Sequence, residues 1–327
     1  MRILLVSQDF PPGLGGIQTY AFELARNFEK DCSSFAVIAP WIEGCEVFDS
    51  SVPFEVIRIR ASSFTFPFKT QGYIRRFRKQ NGLDWVINVQ WFSALGSKIA
   101  RLTGQPFKIA IAVHGRELLL KPFKVKWANR FRYWAQGRVL SSVDKVLPVS
   151  NYTRSLVEKH GVPSSIIRVV NNGANVERFG HIGSNGTNGR KKTVLTVSRL
   201  VERKGIDTVL RSLPTVLQKV PELSYVVVGD GPDLDRLTSL AQTLNVDSHV
   251  EFVGPIAPNE LPELYHHCDV FVMPSRNSPP DVEGFGIVFL EANACGKPVI
   301  GARTGGIPDA ILHRQTGLLV DADNDSE

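Results

Sequence analysis

The sequence predicts an α/β protein built from two domains, each a doubly wound, mostly parallel sheet. Short apolar runs rich in β-branched residues alternate along the chain with segments that suit helices, and this alternation is typical of parallel sheets covered by helices. A chain of 327 residues is long for a single hydrophobic core and suits two domains, each with its own core. Residues 180–192, rich in Gly, Ser and Asn and ending in three basic residues, have the composition of a flexible connection. We therefore predict domains of residues 1–180 and 181–327.

The composition excludes several classes of protein. Hydrophobic residues make up 43% of the chain and charged residues 21%, which is typical of a globular protein. No apolar run approaches the roughly 18 residues of a membrane span, and residues 1–6 predict a first strand rather than a signal peptide. The four cysteines are scattered without metal-ligand spacing, so we expect reduced thiols, a cytoplasmic protein and no structural metal.

The net charge of +6 allows an anionic partner. Nucleic acid, a phosphate-bearing lipid and an acidic membrane surface all fit this charge, and composition does not choose among them. No recognised nucleic-acid module is present in the sequence, so we predict no nucleic-acid partner.

The first half contains a glycine-rich turn between its first strand and first helix. Strands are predicted at residues 2–7, 35–39, 54–59, 85–89, 108–113 and 145–149, with a closing strand at 166–170. The turn, residues 10–16, has a phosphate-binding geometry. It lacks the spacing of a dinucleotide fingerprint or a P-loop, which disfavours a nicotinamide enzyme or a nucleoside triphosphatase. The turn is therefore a candidate phosphate-binding element, and a merely tight turn is the alternative.

Residues 121–138, which we call the basic aromatic segment, combine basic residues with regularly spaced rings. The rings recur at three- and four-residue spacing, which predicts one apolar stripe on a helix; they are Phe123, Trp127, Phe131 and Trp134. Lysines and arginines flank the stripe. One interpretation is a stripe that faces the core. The other is peripheral contact with an anionic membrane, in which the rings enter the interface and the basic side chains meet lipid phosphates.

The second half places two cations after its first predicted strand. Strands are predicted at residues 193–198, 223–228, 250–253 and 270–273. Arg199 and Lys204 follow the first of them. A guanidinium binds phosphate oxygens in pairs and a lysine adds a compact second charge, so together they suit a diphosphate. Asp233 and Asp235 open a helix, where acidic residues are ordinary, so they are not taken as a metal motif. We predict no catalytic metal.

Two glutamates, Glu283 and Glu291, bracket a glycine-containing approach to a helix. Their separation corresponds to about 12 Å along an ideal helix at about 1.5 Å per residue. That distance would let one carboxylate address each end of a nucleotide-sugar across its diphosphate. Glycines at 284 and 286 let backbone amides approach a ligand, and the start of a helix favours an anion. The alternative is a solvated helix face, because this spacing is common on ordinary helices.

These residues carry a resemblance to a known family. The segment from Glu283 to Glu291 is similar to the Glu-(seven residues)-Glu signature of retaining glycosyltransferases, and the run from Ser198 to Gly205 is similar to their Ser-Arg-Leu and Lys-Gly motif. The chain as a whole resembles glycosyltransferase family 4. The resemblance implies the GT-B fold, in which two Rossmann-like domains face each other across a cleft. The first domain would serve the acceptor and the second would bind the nucleotide-sugar.

The resemblance also implies a role for each matching residue. The catalytic set would be His114, Arg199, Lys204 and Glu283. The donor would contact Gly15, Gly16, Arg199, Lys204, Ile256, Glu283, Gly284, Phe285, Gly286, Ile287 and Glu291. Within these sets the two cations bind the diphosphate, Glu291 the ribose and Ile256 the base. The sugar is contacted by Glu283 and by the amides near Phe285 and Gly286, and His114 orients it by a hydrogen bond. On the acceptor side would stand Arg116 and Glu117.

The implied reaction transfers a sugar from a nucleoside diphosphate sugar to a hydroxyl group, with retention of the anomeric configuration. The expected donor is a UDP-sugar such as UDP-glucose, and the acceptor is a glycan or lipid-linked glycan in polysaccharide or glycolipid biosynthesis. No metal or other cofactor is expected, and the cytoplasmic protein would contact the membrane through the basic aromatic segment. A sugar-nucleotide epimerase of the same fold and a non-catalytic nucleotide- or carbohydrate-binding scaffold are the alternatives. The family's final helix, which returns to the first domain, is expected to be missing.

Overall fold

The computed structural model describes residues 1–13, 15–119, 126–180 and 191–327, apart from the side chains of residues 126 and 127. The chain forms two compact units, Met1–Val170 and Asn171–Glu327. Each unit contains a six-stranded parallel sheet accompanied by helices. The predicted fold class is therefore confirmed, because the alternation of strands and helices in the sequence becomes two doubly wound sheets.

The first unit follows the predicted order of elements. Its strands are β1 (Arg2–Val6), β2 (Ser34–Pro40), β3 (Glu55–Ile59), β4 (Trp85–Asn88), β5 (Lys108–Val113) and β6 (Lys145–Pro148). Its α-helices are α1 (Gly16–Asp31), α2 (Cys45–Asp49), α3 (Phe66–Asn81), α4 (Ala94–Arg101), α5 (Lys126–Leu140) and α6 (Asn151–Lys159). The central strand β1 is buried from its second residue to its last, which explains its continuous apolar sequence.

The second unit repeats this plan. Its strands are β7 (Thr193–Val197), β8 (Ser224–Val228), β9 (Val250–Gly254), β10 (Val270–Met273), β11 (Val299–Ala302) and β12 (Gly317–Val320). Its α-helices are α7 (Val176–Phe179), α8 (Ile206–Leu217), α9 (Leu234–Thr243), α10 (Leu261–His267), α11 (Ile287–Ala294) and α12 (Ile307–Ala310). The first four strands were predicted, whereas β11 and β12 were not assigned from the sequence.

The two sheets have the same strand order. It runs β3-β2-β1-β4-β5-β6 in the first unit and β9-β8-β7-β10-β11-β12 in the second. The order reverses between β1 and β4 in one sheet and between β7 and β10 in the other. Ligands of doubly wound sheets bind beyond the carboxyl ends of the strands at this point. The segments that follow these strands, and the neighbouring β5, are therefore where a site is expected.

Two boundaries differ from the prediction. The chain divides after Val170, ten residues earlier than predicted. The reason is that α7 packs with the second unit, where Phe179 is 3% exposed and its ring contacts that of Tyr265. The predicted closing strand at 166–170 donates two backbone hydrogen bonds to β6. Its pairing is limited to one bridge, between Ile167 and Val146, so it does not extend the sheet.

Candidate functional site

The second unit packs the β7–α8 turn (residues 198–205) against the β10–α11 loop (residues 274–286). Gly205 has a φ of +72°, and a Cβ atom there would lie 2.2 Å from the carbonyl oxygen of Pro274. Glycine is therefore required for this close approach. The contact brings the turn that carries Lys204 beside the loop that carries Glu283, since β7 and β10 are neighbouring strands.

Lys204 and Glu283 form a buried ion pair. Lys204 Nζ lies 2.6 Å from Glu283 Oε2, and Arg203 Nη1 lies 3.0 Å from the same oxygen. Burial raises the pKa of Glu283, but the positive charges of Lys204 and Arg203 outweigh burial and hold the pKa below its usual value. Burial also lowers the pKa of Lys204, against the attraction of Glu283. The carboxylate is thus held ionised between two cations, and those cations can also attract an anionic ligand.

Arg199 carries a positive charge that no acidic group of the described residues neutralises. Its side chain is exposed just beyond the end of β7. Across the described ranges, no residue forms an ion pair or side-chain hydrogen bond with it. Lys204, by contrast, is only 8% exposed. The two predicted diphosphate ligands therefore differ, because one is free for a ligand and the other is already paired with a carboxylate.

The two glutamates do not lie on one helix, contrary to the spacing argument. Helix α11 begins at Ile287, so Glu283 lies in the preceding loop and only Glu291 is helical. Glu291 is 7% exposed, and its Oε2 accepts a 2.9 Å hydrogen bond from the hydroxyl of Tyr265. Burial raises the pKa of Glu291, while that hydrogen bond and the charge of Arg178 oppose the shift. The interpretation of a solvated helix face is therefore wrong for both carboxylates.

The start of α11 offers backbone groups rather than side chains. Gly286 caps the helix with a φ of +91°, and no side chain of the described residues caps it. The N–H of the third helical residue donates to the Gly286 carbonyl, and the two N–H groups before it are left for a ligand or for water. Phe285 is only 4% exposed, so its side chain belongs to the core of this segment. Gly284 and Ile287 flank these two residues, and the role of all four as donor contacts stays a prediction.

Ile256 lies apart from these segments. It follows β9, which forms one edge of the second sheet, and its side chain is half-buried. The carboxyl end of another parallel strand in the same sheet is a suitable place for a base contact. The assignment of Ile256 to the base stays a prediction.

His114 follows β5 in the first unit and has a neutral ring. Its imidazole packs edge-on against Tyr20, with ring centroids 4.7 Å apart. Burial lowers the pKa of His114 to about 4, although a hydrogen bond to the backbone of Val89 opposes the shift. Nε2 is buried and has no hydrogen-bond partner among the residues that the structure describes. A donor from a ligand, such as a hydroxyl group, would satisfy it.

Glu117 lies beside His114, in a 3-10 turn at Arg116–Leu118. Its Oε1 accepts a 2.6 Å hydrogen bond from the backbone N–H of His114, whereas Oε2 is buried and unpaired within the described residues. Burial raises the pKa of Glu117 to about 6, against several backbone hydrogen bonds. Arg116 is exposed on the same turn. Two unsatisfied acceptors, His114 Nε2 and Glu117 Oε2, therefore lie beyond the same strand, and they suit a ligand that carries hydroxyl groups.

Gly15 and Gly16 lie where α1 begins. Both are exposed, and no side chain in the described part of the chain caps the helix. A Cβ atom at Gly16 would meet no described atom within 4 Å. Their contact with the donor stays a prediction.

The basic aromatic segment begins outside the described residues, where Phe123 lies, and continues as α5. Phe131 and Trp134 are 61% and 58% exposed, with ring centroids 5.8 Å apart. The interpretation of a core-facing stripe is therefore wrong for these two rings. Arg138 lies over Trp134, 6.0 Å from its ring centroid. Of the helices in the described parts of the chain, none is long and apolar enough to cross a membrane.

Three residues of the second unit were missed in the sequence. Arg203 is next to Lys204 in the sequence, so its positive charge could have suggested a role in the same site. No local sequence pattern indicates a role for Tyr265, because its partner Glu291 lies 26 residues away. Arg276 joins the β10–α11 loop to the β7–α8 turn with all five of its guanidinium N–H groups. Their acceptors are the Glu202 carbonyl, both carboxylate oxygens of Asp207, Thr208 Oγ1 and the Asp323 carboxylate.

Comparison with known proteins assigns the chain to a family. Residues 14–178 match the family described as Glycosyltransferase Family 4, and residues 178–327 match Glycosyl transferases group 1. A GDP-mannose-dependent alpha-(1-6)-phosphatidylinositol monomannoside mannosyltransferase of Mycobacterium tuberculosis is 35% identical, over 98% of this chain and 85% of that protein. The chain belongs to glycosyltransferase family 4. A relative of the same description from Mycolicibacterium smegmatis is also 35% identical, with the same coverage.

The fold of this family 4 glycosyltransferase is also that of solved structures. The crystal structure of Anabaena Alr3699/HepE in complex with UDP and glucose has a TM-score of 0.74 and 20% identity, and the match covers 100% of this chain and 87% of that one. At this identity the likeness shows the GT-B fold alone. The relatives above are glycosyltransferases by name, so this chain is an enzyme of that class, and the epimerase and scaffold alternatives gain no support.

Proposed function

We propose that the enzyme transfers mannose from GDP-mannose to an inositol-containing phospholipid, with retention of the anomeric configuration. The observation that carries the proposal is the 35% identity, over 98% of the chain, to a mannosyltransferase named for GDP-mannose and phosphatidylinositol monomannoside. That relative favours a guanine nucleotide over the UDP-glucose expected from the sequence. Ile256 is the one residue assigned to the base. Its side chain is apolar, so it is compatible with guanine as well as with uracil.

In this proposal the second unit neutralises the diphosphate. Arg199 and Lys204 stabilise the negative charge that grows on the leaving group as its bond to the sugar breaks, which is where fixed positive charge accelerates a reaction most. These cations take the role of a divalent ion, so no metal is required. Glu283 orients Lys204 through their 2.6 Å contact, and Glu291 binds the ribose hydroxyls. No carboxylate nucleophile is assigned, so the leaving phosphate accepts the proton of the incoming hydroxyl on the same face of the sugar.

The first unit supplies hydrogen-bond acceptors for hydroxyl groups. His114 Nε2 and Glu117 Oε2 are buried and lack partners in the described parts of the chain. A sugar or an inositol ring carries several hydroxyl donors on neighbouring carbons, so it can satisfy both atoms. His114 then orients the transferred sugar, and Arg116 and Glu117 serve the acceptor.

The donor is tested with purified enzyme, vesicles containing phosphatidylinositol monomannoside, and either GDP-mannose or UDP-glucose, in excess EDTA. We expect mannosyl transfer in EDTA and at least about tenfold slower transfer from UDP-glucose. Preferred transfer from UDP-glucose would overturn the donor proposal, and loss of transfer in EDTA would overturn metal independence. A control with donor but no acceptor detects epimerisation.

The raised pKa of Glu117 predicts a loss of activity in mild acid. The raised pKa of about 6 means that its carboxylate becomes protonated as the pH falls through that value. A protonated Oε2 accepts a hydroxyl less well, so kcat/KM for the acceptor should fall about tenfold per pH unit below about 6. His114, with a pKa of about 4, stays neutral over this range. Glu291 also has a raised pKa, but in this proposal its protonation changes the KM for the donor instead.

The measurement is a pH profile from 5 to 8 at saturating donor, for the wild type and for Glu117→Gln. The variant should have low activity that no longer declines in acid. An acid decline of the same shape in Glu117→Gln would assign the titration to another group and remove Glu117 from the acceptor site.

The exposed rings of α5 predict attachment to an anionic membrane, which suits a lipid acceptor. Phe131 and Trp134 present apolar surface, and Arg138 beside them can meet lipid phosphates. We expect Phe131→Ser/Trp134→Ser to lower co-sedimentation with vesicles rich in phosphatidylinositol about tenfold. Leu312→Ser is the matched control, because Leu312 is 56% exposed in the second unit. Equal binding of the wild type to neutral and anionic vesicles would contradict the prediction.

A further inference from the structure

We propose that Tyr265 is a positioning residue that holds the ribose-binding carboxylate of Glu291 and thereby sets the preference for ribonucleotide donors. The inference rests on the proposed function in one respect, the assignment of Glu291 to the ribose hydroxyls. It does not depend on the base or on the sugar.

The contact between the two side chains is direct and buried. Tyr265 on α10 donates its hydroxyl to Oε2 of Glu291 on α11 at 2.9 Å. The tyrosine is fully buried, and its ring packs against those of Phe271 and Phe179, with centroids 5.7 and 5.9 Å away. A ring held from two sides cannot follow a moving carboxylate, so it fixes where that carboxylate lies.

The hydrogen bond from Tyr265 gives the two carboxylate oxygens of Glu291 different roles. Oε2 is occupied by the tyrosine hydroxyl, whereas Oε1 forms no hydrogen bond with any side chain or backbone group that the structure describes. Oε1 is therefore the oxygen that accepts a hydroxyl from a ligand. Because a carboxylate is planar, fixing one oxygen also fixes the direction of the other. A ribose with its hydroxyl in that direction forms this hydrogen bond, and a deoxyribose without that hydroxyl does not.

Tyr265 also keeps Glu291 in the form that accepts hydrogen bonds. Burial favours the protonated acid, while the donated hydrogen bond from Tyr265 and the charge of Arg178 favour the carboxylate. Hydrogen bonds to a charged group are the stronger ones. Removal of the tyrosine hydroxyl thus weakens ribose recognition in two ways, by freeing the carboxylate to rotate and by favouring its protonation.

The experiment compares Tyr265→Phe with the wild type in binding GDP and its 2′-deoxy and 3′-deoxy analogues by calorimetry. The wild type should bind GDP about 10- to 100-fold more tightly than the poorer analogue, as expected for loss of one hydrogen bond to a charged group. In Tyr265→Phe this ratio should fall to about 3 or less. The KM for the sugar donor should rise about tenfold, while kcat changes less than about threefold.

Tyr225→Phe is the matched control. Tyr225 is also fully buried in the second unit, and its hydroxyl lies 2.8 Å from Thr196 Oγ1 rather than beside Glu291. The two variants should lose similar thermal stability, but Tyr225→Phe should keep the wild-type ratio. If Tyr265→Phe does not fold, Glu291→Gln must show the same loss of discrimination.

A wild-type ratio retained in Tyr265→Phe, or an equal loss in Tyr225→Phe, overturns the inference. If GDP does not bind, the same ratio is measured with UDP and its deoxy analogues, so failure of the donor proposal is distinguished from failure of this one.

Discussion

Replacement of Arg199 by alanine is expected to lower kcat by about 10²- to 10³-fold, because the variant lacks one of the two charges that we propose to stabilise the leaving diphosphate. The fold should be unaffected. Arg199 is exposed and, within the described chain, has no protein partner to lose, so the free energy of unfolding should change by no more than about 0.5 kcal/mol. Loss of activity without loss of stability is what separates a ligand contact from a structural arginine.

The measurements are steady-state kinetics and denaturant unfolding of Arg199→Ala. Arg303→Ala is the control, since Arg303 is also an exposed arginine of the second unit, with its side chain 44% exposed and paired with Asp321. It should leave turnover unchanged. Arg199→Lys keeps the charge without the paired N–H donors, so intermediate turnover is expected. Turnover near the wild-type value in Arg199→Ala would show that the diphosphate is bound elsewhere.

Glu283→Gln is expected to reduce both stability and turnover. The carboxylate pairs with Lys204 and Arg203, whose side chains are 10% and 22% exposed, so its removal leaves two largely buried cations unpaired. Breaking a buried pair in this way costs about 3 kcal/mol of unfolding free energy. Turnover should fall at least about 10²-fold, because Lys204 without Glu283 is no longer fixed in the geometry that the transition state requires, although it can still bind a diphosphate in the ground state.

The pH dependence has a definite sign. The folded-state pKa of Glu283 is lowered, so its contribution to stability is complete above the usual carboxyl pKa and is lost as the pH falls through the lower, folded-state value. The wild type should therefore lose stability in acid through this group. Glu283→Gln should lack that part of the acid dependence, which denaturant unfolding between pH 3 and 7 measures.

Binding of nucleoside diphosphate should change in the opposite direction. Without the carboxylate, Lys204 and Arg203 have no competing anion, so GDP should bind Glu283→Gln more tightly and raise its melting temperature by more than that of the wild type. Glu263→Gln is the control, because Glu263 is an exposed glutamate of the same unit. Wild-type turnover in Glu283→Gln, or a smaller response to GDP, would mean that the ion pair only stabilises the fold.

Much of the site could be predicted because its signals are local. The cations Arg199 and Lys204 follow β7 closely, and the two glutamates flank one glycine-containing approach to α11. The helical spacing argument for the glutamates failed, since a periodic count assumes that the helix includes both residues and α11 begins after Glu283. The choice between a buried and an exposed aromatic stripe on α5 also could not be made, because the same spacing serves either face of a helix.

The sequence by itself determined the fold class, the positions of most strands along the chain and the family, because hydrophobic periodicity and short motifs are properties of neighbouring residues. Only the tertiary structure decided how the charges are paired. It neutralised Lys204 with a carboxylate 79 positions away, left Arg199 exposed, and placed Tyr265 on Glu291. Pairings of this kind depend on which strands lie side by side in the sheet, and strand order is not encoded by any local pattern of the chain.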